Sequence, residues 1–267
     1  MRNSTINQDF GKVDSKRYDL VNLVIGAYRS IRMPIAYVSM PISSGKLMYD
    51  VLEKKGMKTL EELAKIDPDS VYNEIILPNV LMGVEAADKV RSNLPKIAPS
   101  VFEGKKFRWS QEEYMALWFR VIEERAREMY MTNGWQYSNG GVKEFTRAIE
   151  MQFGFINPIY NNLCLEKNQE KAYENMRKIK IYNLVNKELR INDGINMVGN
   201  AIIDLEKRGF ACDVLKESFD ILFNMTARFW IPKENLKEDK EELKKHLPYD
   251  FSPLKAYKVW EKVNSLK

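Results

Sequence analysis

Apolar residues recur along the chain at two periods, and the alternation between them outlines a fold. Residues 18–31 carry Leu20, Leu23, Val24, Ala27, Tyr28 and Ile31 at helical spacing. Pro34 closes that helix. The uninterrupted run IAYVSM at 35–40, stopped by Pro41, Ser43, Ser44 and Gly45, has the character of a buried strand feeding a polar loop. A charged, mostly helical stretch over 47–71, broken near Asp67 and Pro68, reads as an insertion or lid. Asn79 is placed to cap a helix over 79–93, and PKIAPSVF at 95–102 supplies a second strand. Ser110 then caps a helix over 111–127 whose Tyr114, Leu117, Trp118, Val121 and Ile122 share one face. EMYMT at 128–132 and FGFINPI at 153–159 are the third and fourth strands. Strands alternating with helices predict an α/β fold, a flavodoxin-like parallel sheet with helices on both faces.

Beyond residue 160 the period is helical throughout, and no strand is expected. Helices are predicted over 166–190, 193–208 closed by Gly209, 213–229, 237–246 and 253–264, the last capped by Ser252. The chain thus divides into a helical extension at 1–33, an α/β domain at 34–160 with an insertion at about 43–78, and a helical C-terminal region at 161–267.

Composition narrows the chemistry. With 267 residues, 45% of them hydrophobic, the chain can bury a large core. Its longest apolar runs fall far short of the roughly 20 residues of a membrane helix, and the polar start does not read as a signal peptide. A cytoplasmic protein without membrane contact is the expectation. Cys164, Cys212 and His246 cannot assemble a structural zinc site by themselves, so neither metal nor cofactor is expected. The net charge of +5 is interspersed, which fits a solvated surface and an anionic ligand better than nucleic acid.

The stretch NGWQYSNGGVKEFTRAIEM at 133–151 sets a glycine-rich turn before an amphipathic helix. Gly134, Gly140 and Gly141 allow close backbone approach, while Ser138 and the free N–H groups of the helix offer donors to an anion. Glu144, read as first-turn, suits a nucleophile or general base, although the helix dipole alone also favours an acid there. A capping box would need Ser or Thr at position 141, which is Gly, so Ser138 and Glu144 are not reciprocal caps. Tyr37, Ser39 and the loop 41–46 lie where ligands bind in open parallel sheets, beyond the carboxyl end of a strand. The SSGK within that loop is only a fragment of a phosphate loop, since the preceding Gly is missing.

IAYVSMPIS at 35–43 and GWQYSNGGVKEFTRAIE at 134–150 together resemble the nucleoside 2-deoxyribosyltransferase-like superfamily, which includes nucleotide N-glycosidases. The resemblance covers about residues 35–159. It implies that Glu144 attacks the anomeric carbon of a ribosyl or deoxyribosyl group, and that Tyr37 orients its carboxylate. It also implies that Ser138, with the backbone N–H groups of Asn139 and Gly140, contacts a 5′-phosphate. Ser39, Pro41, Ile42 and Ser43 would form the facing loop, and Gly134, Trp135 and Gly141 would complete the substrate site. The implied substrate is a nucleotide or nucleoside, and the implied assembly is a homo-oligomer. Family members present aspartates to the base or sugar from the helix before the third strand and the start of that strand, but 118–131 contains none. Glu113, Glu123 and Asp50 are the candidates to replace them. NAD cleavage, base exchange and a non-catalytic nucleotide sensor or scaffold are the alternatives.

Overall fold

The computed structural model describes residues 15–101, 110–153, 179–227 and 253–265. Its centre is strand β1 (Ile35–Ser39), every residue of which is buried. Parallel partners flank it on both sides, β2 (Lys96–Ile97) and β3 (Ala126–Met131), and β4 (Lys180–Asn183) extends the sheet beyond β3. The order β2-β1-β3-β4 is flavodoxin-like. A parallel sheet needs cover on both faces, which is why β1 runs Ile-Ala-Tyr-Val before Ser39 instead of alternating apolar with polar residues.

Side chains on β1 sort by the pleat into two cores. Ile35 and Tyr37 join Met129 and Met131 of β3 in the larger one. That core is completed by α2 (Lys46–Lys54), α6 (Gln111–Arg125), α7 (Asn139–Phe153) and the C-terminal α8 (Ile191–Lys207) and α9 (Asp213–Ala227). Ala36, Val38 and Met40 face the other way, onto Tyr130, Val90, Ala98 and the inner side of α5 (Leu77–Lys89). Helix α1 (Ser15–Arg29) lies against α6, where the Arg29 guanidinium grips Glu124 at 2.6 and 2.7 Å.

Between β1 and β2, α3 (Leu60–Ile66) begins on a Thr59 capping box, and the single turn α4 (Pro68–Ser70) begins on Asp67. A π-helical turn, Val71–Ile76, then runs directly into α5. Pro78 has no N–H for the carbonyl four residues back, and the wider turn ahead of it accommodates that defect. The expected cap at Asn79 is corrected accordingly: Asn79 sits inside a continuous helical segment, and its side chain is free for other work.

The late part of the chain also corrects the prediction. Residues 180–183, expected within a helix over 166–190, form β4, so the fourth strand comes from the segment where none was expected. Of the strand predicted at 153–159, Phe153 is instead the last residue of α7, and 154–159 lie outside the described residues, as do the helix at 237–246 and the Ser252 cap. The helices over 191–207, 213–227 and α10 (Pro253–Asn264) are where periodicity placed them.

The helical C-terminal region shares the larger core with the sheet. Gly194 of α8 meets the fully buried Phe145 ring of α7, where an added Cβ would lie 2.1 Å from Cε1. Phe145 has no room to retreat, being stacked on Trp135 at 4.5 Å. Gly194→Ala is therefore expected to destabilise the fold by about 1–3 kcal/mol through overpacking, a loss readable as a lowered midpoint in urea unfolding. Among the described residues no helix is long and apolar enough to cross a membrane.

Candidate active site

Glu144 is a carboxyl group taken almost wholly out of water, 4% exposed, where α7 passes the carboxyl end of β1. Two hydroxyls from that strand hold it. Tyr37 donates to Oε1 at 2.6 Å and Ser39 donates to Oε2 at 2.5 Å. Their side chains leave the same face of β1 because they are two residues apart in a strand. Burial opposes ionisation and raises the Glu144 pKa from 4.5 to about 7, with the bonds from Ser39 and Tyr37 pulling the other way. Each oxygen keeps a further lone pair for a ligand.

Ser138 explains how α7 is started. Its backbone is extended, at φ −99° and ψ 126°, and its Oγ accepts the Gly141 N–H at 3.2 Å. It is the N-cap of a helix that opens at Asn139, earlier than the sequence suggests. Glu144 accordingly lies in the second helical turn rather than the first, where the dipole argument for an acid loses most of its force. Gly141 is required by the close approach of the preceding turn, since a Cβ there would lie 2.8 Å from the Trp135 carbonyl oxygen.

A small, open cavity leads to Glu144. Its floor and one wall come from Met40, Ile42, Ser43 and Ser44 after β1, and from Ser138 and Gly140 at the start of α7. The opposite wall is Pro99 with Gln111, Tyr114, Met115 and Trp118 of α6, which recur three and four residues apart on one helical face. Ser44 and Ser138 share a hydrogen bond of 2.9 Å between their hydroxyls, joining the two loops at the cavity edge.

Of the residues singled out in sequence, the cavity thus collects Ile42, Ser43, Ser138, Gly140 and Glu144, with Tyr37 and Ser39 directly behind the carboxylate. Pro41 serves the loop by packing on Gly45, which has φ +108° and would place a Cβ 2.7 Å from the proline. Trp135 goes elsewhere: it is buried in the larger core against Phe145. Gly134, at φ 82°, makes the left-handed turn that delivers Trp135 there. Neither it nor Asn139 borders the cavity, and Gly141 serves packing.

Sequence reasoning placed Ser44 in the candidate loop 41–46 without singling it out, missed Gln111, and counted Tyr114 and Trp118 as core alone. The incomplete phosphate-loop fragment around Ser44 and a glutamine in line with two aromatics on α6 were the available signals. The substitutes for the missing aspartates are otherwise engaged. Glu123 pairs with the buried Arg147, Asp50 with Arg208, and Glu113 closes the α6 capping box by accepting the Ser110 N–H at 2.6 Å. Among the described residues that line the cavity, Glu144 is the one carboxylate. Among the described residues there is also no group of three or more His, Cys, Asp or Glu able to hold a metal ion.

The cavity lies where the strand order changes direction, between β1 and β3, the position at which open parallel sheets bind ligands. Fold and site together define a flavodoxin-like α/β protein with a buried, hydroxyl-held carboxyl group at its switch point. No family model, curated protein or solved structure matches the chain.

Proposed function

We propose that the protein is an N-glycosidase that cleaves a nucleoside 5′-monophosphate or a related nucleotide. The observation that carries the reading is the Tyr37–Glu144–Ser39 arrangement, which presents one carboxylate to a cavity from a site poor in water. In the ionised form, a Glu144 oxygen bonds to C1′ while the C1′–N bond breaks and its electron pair leaves with the base. Water then cleaves the resulting glycosyl ester, its hydroxyl remaining on C1′ and its proton passing to the departed base, which restores the carboxylate. Burial and fixed hydroxyl donors suit this role because the charge change at the reacting carbon meets a preorganised group.

At the other end of the cavity, Ser44, Ser138 and the first turn of α7 form a donor-rich corner that fits a phosphate. The exposed stripe of Leu77, Leu81 and Val84 along α5 fits self-association, and the free, buried Cys212 fits a reducing cytoplasm. These belong to the same reading.

Incubation with ribo- and deoxyribonucleoside monophosphates, nucleosides and NAD, followed by chromatography with mass detection, tests it. Free base is expected from at least one monophosphate, faster than from its nucleoside. Binding of a monophosphate without release of base from any compound would overturn the catalytic reading in favour of a nucleotide sensor.

A further inference from the structure

Asn79 lies on α5, on the face of the sheet opposite Glu144, yet its side chain reaches the cavity loop. It is 3% exposed, and its Nδ2 donates to the Ile42 carbonyl at 2.8 Å and, at the limit of a hydrogen bond, to the Ser44 carbonyl at 3.5 Å. Both partners are carbonyl oxygens, so the amide nitrogen must be the atom facing them. One turn further along α5, Gly83 lets the helix press on the end of β1: an added Cβ would lie 2.0 Å from Met40 Sδ. The loop between these contacts is irregular, with Gly45 in a backbone conformation unsuited to any side chain. Its carbonyls have no ladder to join, and Asn79 supplies the missing donor.

We propose that Asn79 is a positioning residue, whose buried amide fixes the 42–45 loop so that Ser44 meets Ser138 and the phosphate corner of the cavity is preformed. The proposal rests on the glycosidase reading for its kinetic consequences, but the geometry itself is independent of that reading. Removing the donor leaves Glu144, Tyr37 and Ser39 untouched. It lets the loop carrying Ser44 sample other conformations, so the cost falls on binding the phosphate-bearing end of the substrate. A loop that must be ordered on binding lowers affinity without altering the chemical step.

The test compares wild type with Asn79→Ala and with Asn79→Leu, which keeps the volume, loses the donor and buries no charge. With the monophosphate substrate both variants are expected to raise KM by about tenfold, the loss of one buried hydrogen bond. The change in kcat should stay within about twofold and its pH midpoint should not move. KM for the corresponding unphosphorylated nucleoside should also stay constant. Asn79→Ala combined with Ser44→Ala should be no worse than the poorer single variant, because both act through one contact. Equal losses with nucleotide and nucleoside, or a fall in kcat with KM unchanged, would overturn the proposal. Asn79→Leu carries the test if the alanine variant does not fold.

If the wild type releases no base, the glycosidase reading fails and amide hydrogen exchange decides the positioning role by itself. Faster exchange at 42–46 with β1 and β3 unchanged supports it; an unchanged loop overturns it.

Discussion

Glu144→Gln is expected to lower base release by a factor on the order of 10⁴ or more, as loss of a nucleophile does elsewhere. The amide has the shape of the carboxylate, and its oxygen can still accept from Tyr37 while its nitrogen donates to the Ser39 oxygen. It cannot supply an anionic oxygen to C1′. Because the replacement preserves cavity shape, monophosphate binding should survive within a few-fold, which separates a chemical defect from a folding defect. Single-turnover release and isothermal titration on the same preparation give the two numbers. Retention of more than a tenth of the wild-type rate would remove Glu144 from the reaction.

The same substitution should make the protein more stable in alkaline solution. In the folded chain the Glu144 pKa is raised from 4.5 to about 7, so the folded state holds this proton more tightly than the unfolded chain does. Below pH ~4.5 the group is neutral in both states and costs nothing. As pH rises toward 7 the unfolded chain gains by ionising while the folded one must keep the proton or bury a charge, and stability drains away. The full penalty, above about pH 8, is about 3 kcal/mol. An amide in its place never ionises and escapes it. Thermal unfolding at pH 8.5 should therefore place Glu144→Gln higher than wild type by about 5–10 °C, with the gap closing at pH 4. Activity has the opposite slope: the attacking form is the carboxylate, so kcat/KM should rise with pH and level off above about 7. A variant whose stability relative to wild type is the same at both pH values would mean that burial does not disfavour the ionised carboxyl.

Much of this arrangement is legible in the chain alone. An apolar run bounded by Pro34 and Pro41 can scarcely be other than a strand buried on both faces, and that run brings Tyr37 and Ser39 with it. Glu144 is visible because it follows a glycine-rich turn at the start of an amphipathic helix. Helix starts are harder. Ser138 fails the side-chain test for a reciprocal cap because its partner is a backbone N–H, which leaves no mark on the side chain at 141. Strand β4 is hidden for a related reason: KIYN is too short to show a period, and the charged residues before it lend it a helical neighbourhood. Asn79 looks like a cap because Asn is common there. Only the fold reveals a carbonyl within reach on another segment.

The parallel pairing of β1 with the distant β3 also governs how the protein is born. Tyr37 and Glu144 are separated by 107 positions in the chain. At a synthesis rate of ~5–20 residues per second, roughly 5–20 s pass between the emergence of the first and the second. For most of that interval the uncharged, β-prone IAYVSM segment lacks its β3 partner, and it has the composition that seeds intermolecular pairing. Slower growth at reduced temperature, or a co-expressed chaperone that holds extended apolar segments, should raise the yield of dispersed protein more than any change to the finished surface.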